Sequence, residues 1–565
     1  MKKIFNLKNI SFKIVSACML LLTINACETL ELELVDTPNA LTSTSADPDL
    51  FLNSAQISTA SFFEQVTEEG QQVTRILNMA GPLYRNAYSS TQFNGPWSTA
   101  YATVFADIET MLPLTDALGW STHSGIAKLL KAYIGLTLVD YMGDIPFNNS
   151  AKGTADLTPT LEDGSLVYAS ILDLIAEAKT DLSVSPAPKS PSKDFYYGGD
   201  RSKWLKFANT LELKLRIQRR LVPDASDASA INALIAGGDL ISTQADDFQF
   251  RYAPTDSNPD SRHPLFGDNY DIAANFGDYM SNSYMNELTG KSVLDPRARF
   301  YFYRQITDAS DGDEQELPCS SEDRPSHYAA SDVFCYIGYL NPLVSSVGYW
   351  GRDHGDNDGI PPDGGLRTSY GIYPIGGKYD DLSGDSSSGR TEGLSGAGIS
   401  PIFLSSYTNF MIAEWEQANS LDARASLEKG IRASLTKVTG FAVDSGNANA
   451  ASSAPTSTLA DIEAYVELVC GASNVNSLWA NSTDKMDLIV SEYFIALFGN
   501  GVEAYNTYRR TGKPANLQPT LNPVPGDFIN SFYYPRDEVN NNGNVEQKAS
   551  QNVKVFWAAS GPTVK

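Results

Sequence analysis

Apolar residues recur at three- and four-residue spacing through most of the chain, the period of a helix with one buried face. "DPDLFLNSAQISTASFFEQVTEEGQQVTRILNMAG", residues 47–81, opens on Asp and Pro and stops at Gly81, which predicts a first long helix. Comparable patterns predict helices at 97–118, 124–142, 165–182, 202–221 and 228–241. They come in pairs of about 34 to 45 residues, the size of a helical repeat unit, although the strict tetratricopeptide consensus is absent. Stacked pairs bury their apolar faces on one another and leave an outer surface for a second task. From Asp246 to about Ser400 the texture changes to Gly, Asp, Pro, Ser and Tyr, with short strands at best, as in "RFYFYRQIT". A loop-rich stretch of that length is usually functional or disordered, and its density of aromatic residues argues for order. Helical periodicity returns at 405–419, 423–438, 459–470 and 485–497. The expected fold is mainly α: a helix-pair scaffold over 49–245, a loop-rich central region over 246–400, and C-terminal helices and loops over 401–565.

The N-terminus breaks this pattern. Lys2, Lys3, Lys8 and Lys13 precede the first acid, Glu28, and the apolar run Ile14 to Ile24 is eleven residues long. That is the layout of a secretory signal, too short for a bilayer span of about 20 residues. "INAC" ends at Cys27 in the manner of a bacterial lipoprotein signal, whose Cys thiol takes a diacylglycerol and becomes the first residue after cleavage. "VSAC", ending at Cys18, competes, but it would leave the greasy "MLLLTINA" as the mature terminus. We therefore expect a signal peptide over 1–26, lipidation of Cys27, and a polar, Pro-punctuated tether over 27–48. Each buried acyl methylene contributes about 0.8 kcal/mol, and stable anchoring needs more than one chain.

Charge narrows the partners. The chain carries a net charge of −25, and removal of residues 1–26 leaves 38 basic against 67 acidic residues, a net of −29. Nucleic acid and anionic lipid surfaces are poor partners for such a field. Beyond the signal region only Cys319, Cys335 and Cys470 remain, which is no disulfide framework. Cys319 and Cys335 are candidates to pair, and Cys470 falls on the apolar side of a helical pattern.

Catalytic signatures are mostly missing. None of His123, His263, His327 and His354 lies at metal-ligand spacing from another, and each reads as a hydrogen-bonded structural or surface residue. "GLSGA" has Ala397 where a nucleophile elbow requires Gly. In "DHGDNDGIPPDGG" the acids Asp353, Asp356 and Asp358 are calcium candidates, set against a solvated turn. As an EF-hand loop the stretch fails, because Ile360 occupies a ligand position and no Glu closes the loop. Paired carboxylates for glycoside hydrolysis are defined by their separation in space, so their number here is uninformative.

"SEYFIALFGNGVEAYNTYRRTGKP", "FYYPRDEVNNN", "AKLLKAYIGLTLVDYMGDIPF" and "YYGGDRSKWLKFANTLELKLRIQRR" together resemble the SusD/RagB family of surface nutrient-binding lipoproteins of the Bacteroidetes. The resemblance covers essentially the whole mature chain in the right order. It implies four tetratricopeptide-like helix pairs with a variable loop-rich remainder. It also implies a non-enzymatic protein that sits as a lid on a TonB-dependent, SusC-like outer-membrane transporter and captures oligosaccharides or, in some members, peptides. Acids just after the lipidated Cys act as a surface-export signal in this family, the role implied for Glu28, Glu31 and Glu33. Within the motifs, Gly499 and Gly501 are expected to permit a tight reversal. Arg509 and Arg510 are expected to hold helix-end carbonyls, Glu503 or Glu492, with Glu492 and Tyr493 also fold-defining.

A sugar presents apolar ring faces and a girdle of hydroxyls, so its binder needs aromatic platforms beside carboxylates, amides and Arg. Two stretches offer them. One is "YRNAYSSTQFNGPW", with Tyr84, Tyr88, Phe93 and Trp97; the other is "GYWGRDHGDND", with Tyr349, Trp350, Arg352 and Asp353, aided by Tyr270, Phe276 and Tyr279. Trp350 sits between polar and Gly residues and is expected to be exposed. A peptide binder is the nearest rival reading, and a surface glycoside hydrolase the rival from another class.

Overall fold

The computed structural model describes residues 46–564, apart from 154–155, 187, 224, 272–277, 304–322, 336–348, 350, 358–366, 374–392 and 445–458. The longer helices are α1 (Pro48–Val73), α2 (Ala106–Leu118), α3 (Ser121–Met142), α4 (Gly164–Leu182), α5 (Arg201–Gln218), α6 (Ala228–Gly237), α7 (Asn282–Thr289), α8 (Ser405–Ala418), α9 (Arg424–Asp444), α10 (Leu459–Cys470), α11 (Lys485–Ala496) and α12 (Gly501–Thr511). The predicted mainly α scaffold is present. Each of α2 to α5 packs on its successor, and α8, α9, α10 and α11 form a second stack. Asp163, Asp200, Asp484 and Asn500 cap α4, α5, α11 and α12 by accepting backbone N–H bonds in the first turn. No helix among the described residues is long and apolar enough to cross a membrane.

Several predicted helices differ from those observed: 228–241 stops at Gly237 and 423–438 runs on to Asp444. The helix predicted over 47–81 stops at Val73, because Arg75 takes left-handed backbone (φ 67°) and its guanidinium turns back to the Val73 carbonyl at 2.6 Å. The segment at 97–118 is a one-turn helix (Asn94–Ser98), a π-helix (Thr99–Phe105) and then α2. The central region holds short strands, one of them within "RFYFYRQIT" as expected. β1 (Phe248–Arg251) pairs antiparallel with β4 (Ile399–Phe403), and β2 (Phe302–Tyr303) with β3 (Ser369–Tyr370).

The two halves of the sequence close on each other through α1 and α12. Gly70 of α1 faces Gly501 at the start of α12 so closely that a Cβ on either would overlap the other helix's backbone. Gly501 N–H donates to Thr67 Oγ1 at 2.7 Å, and Gly499 N–H donates to Gln71 Oε1 at 3.1 Å. Gly499 makes the reversal with φ 82°, open to Gly at little cost; Gly501 is required by the close approach instead.

Buried polar bolts join these layers. Asp140 of α3 accepts from Tyr168 Oη, from Trp557 Nε1 (2.9 Å), from Asn506 Nδ2 (2.7 Å) and from Lys214 Nζ (3.2 Å), and Lys214 also reaches Glu503 at 3.2 Å. Arg509 donates to Asn530 O and Asn506 Oδ1 and lies over the rings of Tyr505 and Trp557. Arg510 does not pair with Glu503 or Glu492. Its Nε and one terminal N–H donate to both oxygens of Glu414 at 2.8 Å, while Glu492 meets Arg297 and Lys291. The two arginines are thus structural, as expected, with a different acid. Cys335 is disulfide-bonded, Cys470 is buried and free, and Cys319 lies outside the described residues.

Candidate ligand-binding cleft

The stretch around Trp350 is not a surface platform where it is described. Arg352 N–H donates to Met280 O at 2.9 Å, Asn282 N–H to Arg352 O at 3.0 Å, and Gly355 N–H to Met79 O at 2.9 Å. The segment threads between two others, and a Cβ on Gly351 would stand 2.2 Å from Met280 O. Its Gly content therefore reports close backbone packing, the feature that sequence reading took for exposure. Tyr349 is buried edge-on to Phe302, and Arg352 lies over the Tyr279 ring at 4.3 Å. Tyr270 is likewise buried, stacked on Phe266. Trp350 and Phe276 lie outside the described residues.

The calcium candidates are otherwise engaged. Asp353 accepts from Asn282 Nδ2 (3.1 Å), Gln518 Nε2 (2.6 Å) and Cys335 N–H (3.0 Å), and burial raises its pKa against those bonds. Asp356 lies 3.7 Å from Arg352, and Asp358 falls outside the described residues. Among the described residues no group of three His, Cys, Asp or Glu is arranged for a metal.

Of the other stretch, Tyr88 and Phe93 are core residues, both edge-on or tilted against Phe532. Helical and loop turns that alternate polar with aromatic residues here bury the rings and expose the polar partners. Tyr84 differs. Its hydroxyl lies 2.7 Å from an Arg75 terminal nitrogen and 3.3 Å from His354 Nε2, so the two sequence neighbourhoods meet at this ring. Burial, with the Arg75 charge beside it, holds His354 well below the usual imidazole pKa.

Tyr84 forms the back wall of a cleft of about 480 Å³, a volume in the usual range for small-ligand sites. Phe528 stands edge-on to Tyr84 at 5.7 Å, and the open side carries Asp527, Asn522, Asn552 and His327. Asn552 Nδ2 donates to Asp527 Oδ2 at 2.7 Å, an exposed amide–carboxylate pair. The loop 517–530 that supplies most of these groups escaped the sequence reading, which searched for aromatic clusters. Its signal was the Pro-rich punctuation of "LQPTLNPVPGDF". Trp97 is largely buried, at the edge of a different cleft.

A helix-pair scaffold carrying an aromatic cleft rimmed by amides and a carboxylate is the architecture of a binding protein. Residues 38–329 match the family model described as starch-binding associating with outer membrane, and residues 406–555 the model described as SusD and RagB outer membrane lipoprotein. The chain belongs to the SusD/RagB family, which places it at the outer membrane; the family's members bind nutrients, and no catalytic family is indicated. Among solved structures, a chitin-binding protein is 18% identical with a TM-score of 0.63, covering 91% of this chain and 100% of its own. A SusD homologue from Bacteroides fragilis is 17% identical, TM-score 0.61, covering 91% and 99%. A chitin-binding SusD homologue from Flavobacterium johnsoniae is 17% identical, TM-score 0.60, covering 91% and 100%. At these identities the likeness is one of fold. Against curated proteins the chain has no match.

Proposed function

We propose that this chain is a surface-exposed lipoprotein, anchored through Cys27 on a tether reaching to about residue 48, that captures an oligosaccharide in the Tyr84 cleft. It delivers the sugar to a TonB-dependent, SusC-like transporter for import, and Glu28, Glu31 and Glu33 direct the anchor to the outer leaflet. The observation that carries the reading is the cleft itself: the buried rings of Tyr84 and Phe528 close its back, and an exposed Asp527–Asn552 pair stands at its mouth. Ring carbons suit the apolar face of a sugar, and the amide and carboxylate suit its hydroxyls. Trp350 is proposed as a further ligand contact, and Asp353 holds Gln518 of the cleft wall by accepting from its Nε2. Two chitin-binding proteins of this fold favour a glycan over a peptide.

The test is incubation of the purified protein with panels of oligosaccharides and of peptides, with binding isotherms and chromatography of the products. Saturable glycan binding without product is expected. Shortened glycans would make it a hydrolase, and saturation by peptides alone would make it a peptide carrier. Co-purification of the transporter from membranes tests the partner.

A further inference from the structure

A second cleft, of about 370 Å³, opens between the π-helix, the segments 146–153 and 156–159, and the short helix Arg536–Asn541. Its aromatic wall is built by local backbone. The one-turn helix with Trp97 runs directly into the π-helix with Tyr101 and Phe105, residues four apart along a helix share one face, and π-bulges recur at functional sites. Here Trp97 and Tyr101 come to 4.4 Å between ring centroids, and Tyr101 meets Phe105 at 5.1 Å. The stripe runs from buried Phe105 to half-buried Tyr101 and largely buried Trp97, which line the cleft.

Both rings have their polar atoms tied back to protein. Trp97 Nε1 donates to Glu538 Oε2 at 3.2 Å, and Tyr101 Oη donates to Pro146 O at 2.7 Å. What they present to the cleft is therefore ring carbon. The opposite side carries exposed Lys152, whose ammonium is held 2.9 Å from Glu109, and exposed Asp156. An apolar aromatic wall faced by a cation and a carboxylate at the mouth suits a flat ligand with one apolar face and an edge of donors and acceptors.

We propose that the Trp97–Tyr101 cleft is a second carbohydrate site, taking one pyranose ring of an oligosaccharide against the aromatic wall, with Lys152 and Asp156 on its hydroxyls. This rests on the glycan reading above and adds a separate point of attachment. Two sites on one chain raise the effective concentration of a long polymer at the surface, so long glycans are held more tightly than short ones.

The experiment is calorimetric titration of the full mature chain with a panel of α- and β-linked oligosaccharides, chitohexaose and maltoheptaose among them. Trp97 and Tyr101 also pack on Phe105, so the rim variants Lys152→Ala and Asp156→Ala carry the test without loss of fold, and Tyr101→Ala adds to them. Two binding steps are expected in the wild type. The rim double variant should weaken one of them about tenfold, the equivalent of about 1.4 kcal/mol, and Asp527→Ala/Asn552→Ala should weaken the other. A single step, lost in Asp527→Ala/Asn552→Ala and untouched by every variant of the Trp97 cleft, overturns the second site alone. No binding of any glycan overturns it together with the proposed function.

Discussion

Replacing Gly501 with Ala tests how the two ends of the sequence are locked together. A Cβ there would stand 1.9 Å from Thr67 O, 2.4 Å from Gln71 N and 2.8 Å from Gly70 C, all backbone of α1. Contacts under 3.0 Å are essentially never seen for real Cβ atoms, and no flexible side chain is available to yield. The helices must separate, taking the nearest contact from 1.9 Å to at least 3.0 Å. That movement stretches the Gly501 N–H bond to Thr67 Oγ1, now 2.7 Å, and the Thr67 Oγ1 bond to Gly499 O, now 3.2 Å. Overpacking costs about 1–3 kcal/mol, and two weakened buried hydrogen bonds add about 1 kcal/mol each. The sum is a loss of about 3–5 kcal/mol, lowered by up to about 1 kcal/mol for the better helix propensity of Ala. Gly237→Ala is the control, since nothing lies within 4 Å of its Cβ position; it should be neutral or stabilise by up to about 1 kcal/mol. Urea unfolding followed by far-UV circular dichroism reads both. Gly501→Ala within about 0.5 kcal/mol of wild type, the range of an ordinary surface change, would refute the close crossing.

Three further outcomes are expected. Arg510→Met strands Glu414 in the core with Arg220 alone, 3.0 Å away, and should cost about 3–5 kcal/mol by urea unfolding, much of it restored in Arg510→Met/Glu414→Gln; equal costs for the single and double variants would contradict the pairing. Burial pushes the Glu69 carboxyl up to about 7 although Gln92 donates to it. A folded-state value above the unfolded one favours folding at low pH and is lost as pH rises from about 4.5 through 7. Glu69→Gln should therefore stabilise the protein at pH 8 by up to about 3 kcal/mol, at about 1.4 kcal/mol per unit, and change little at pH 4; equal effects at both would contradict a buried, uncharged Glu69. Cys27→Ala should abolish acyl labelling and release the protein from membranes, whereas continued labelling would move the anchor to Cys18.

Helical periodicity alone located the scaffold, because each helix buries one stripe and the stripe repeats in the sequence. α1 was drawn too long because nothing in "TRILNMAG" announces a left-handed Arg75, a conformation fixed by its bonds to Val73 O and Gln518 O. Strands β1 and β4 were missed since each is short and pairs with a partner about 150 residues away, beyond any local pattern. The site was legible only in part. Tyr84, Phe93, Tyr88 and Tyr349 look the same in sequence and all four are buried; only the three-dimensional packing shows that Tyr84 backs a cleft while Phe532 and Phe302 cover the others. Arg510 was recognised as structural from its helix end, while Glu414 was invisible as its partner because the contact spans 96 residues.

The most direct test of a glycan-binding Tyr84 cleft is a titration of the oligosaccharide that binds best into Lys152→Ala/Asp156→Ala, with and without Asp527→Ala/Asn552→Ala, beside a melting curve for each. Asp527 and Asn552 are exposed, so their loss should leave the melting temperature nearly unchanged. Affinity should fall about tenfold or more as two groups that meet the sugar hydroxyls disappear. Unchanged affinity with an unchanged melting temperature would contradict the account, and the sugar would be bound elsewhere on the chain.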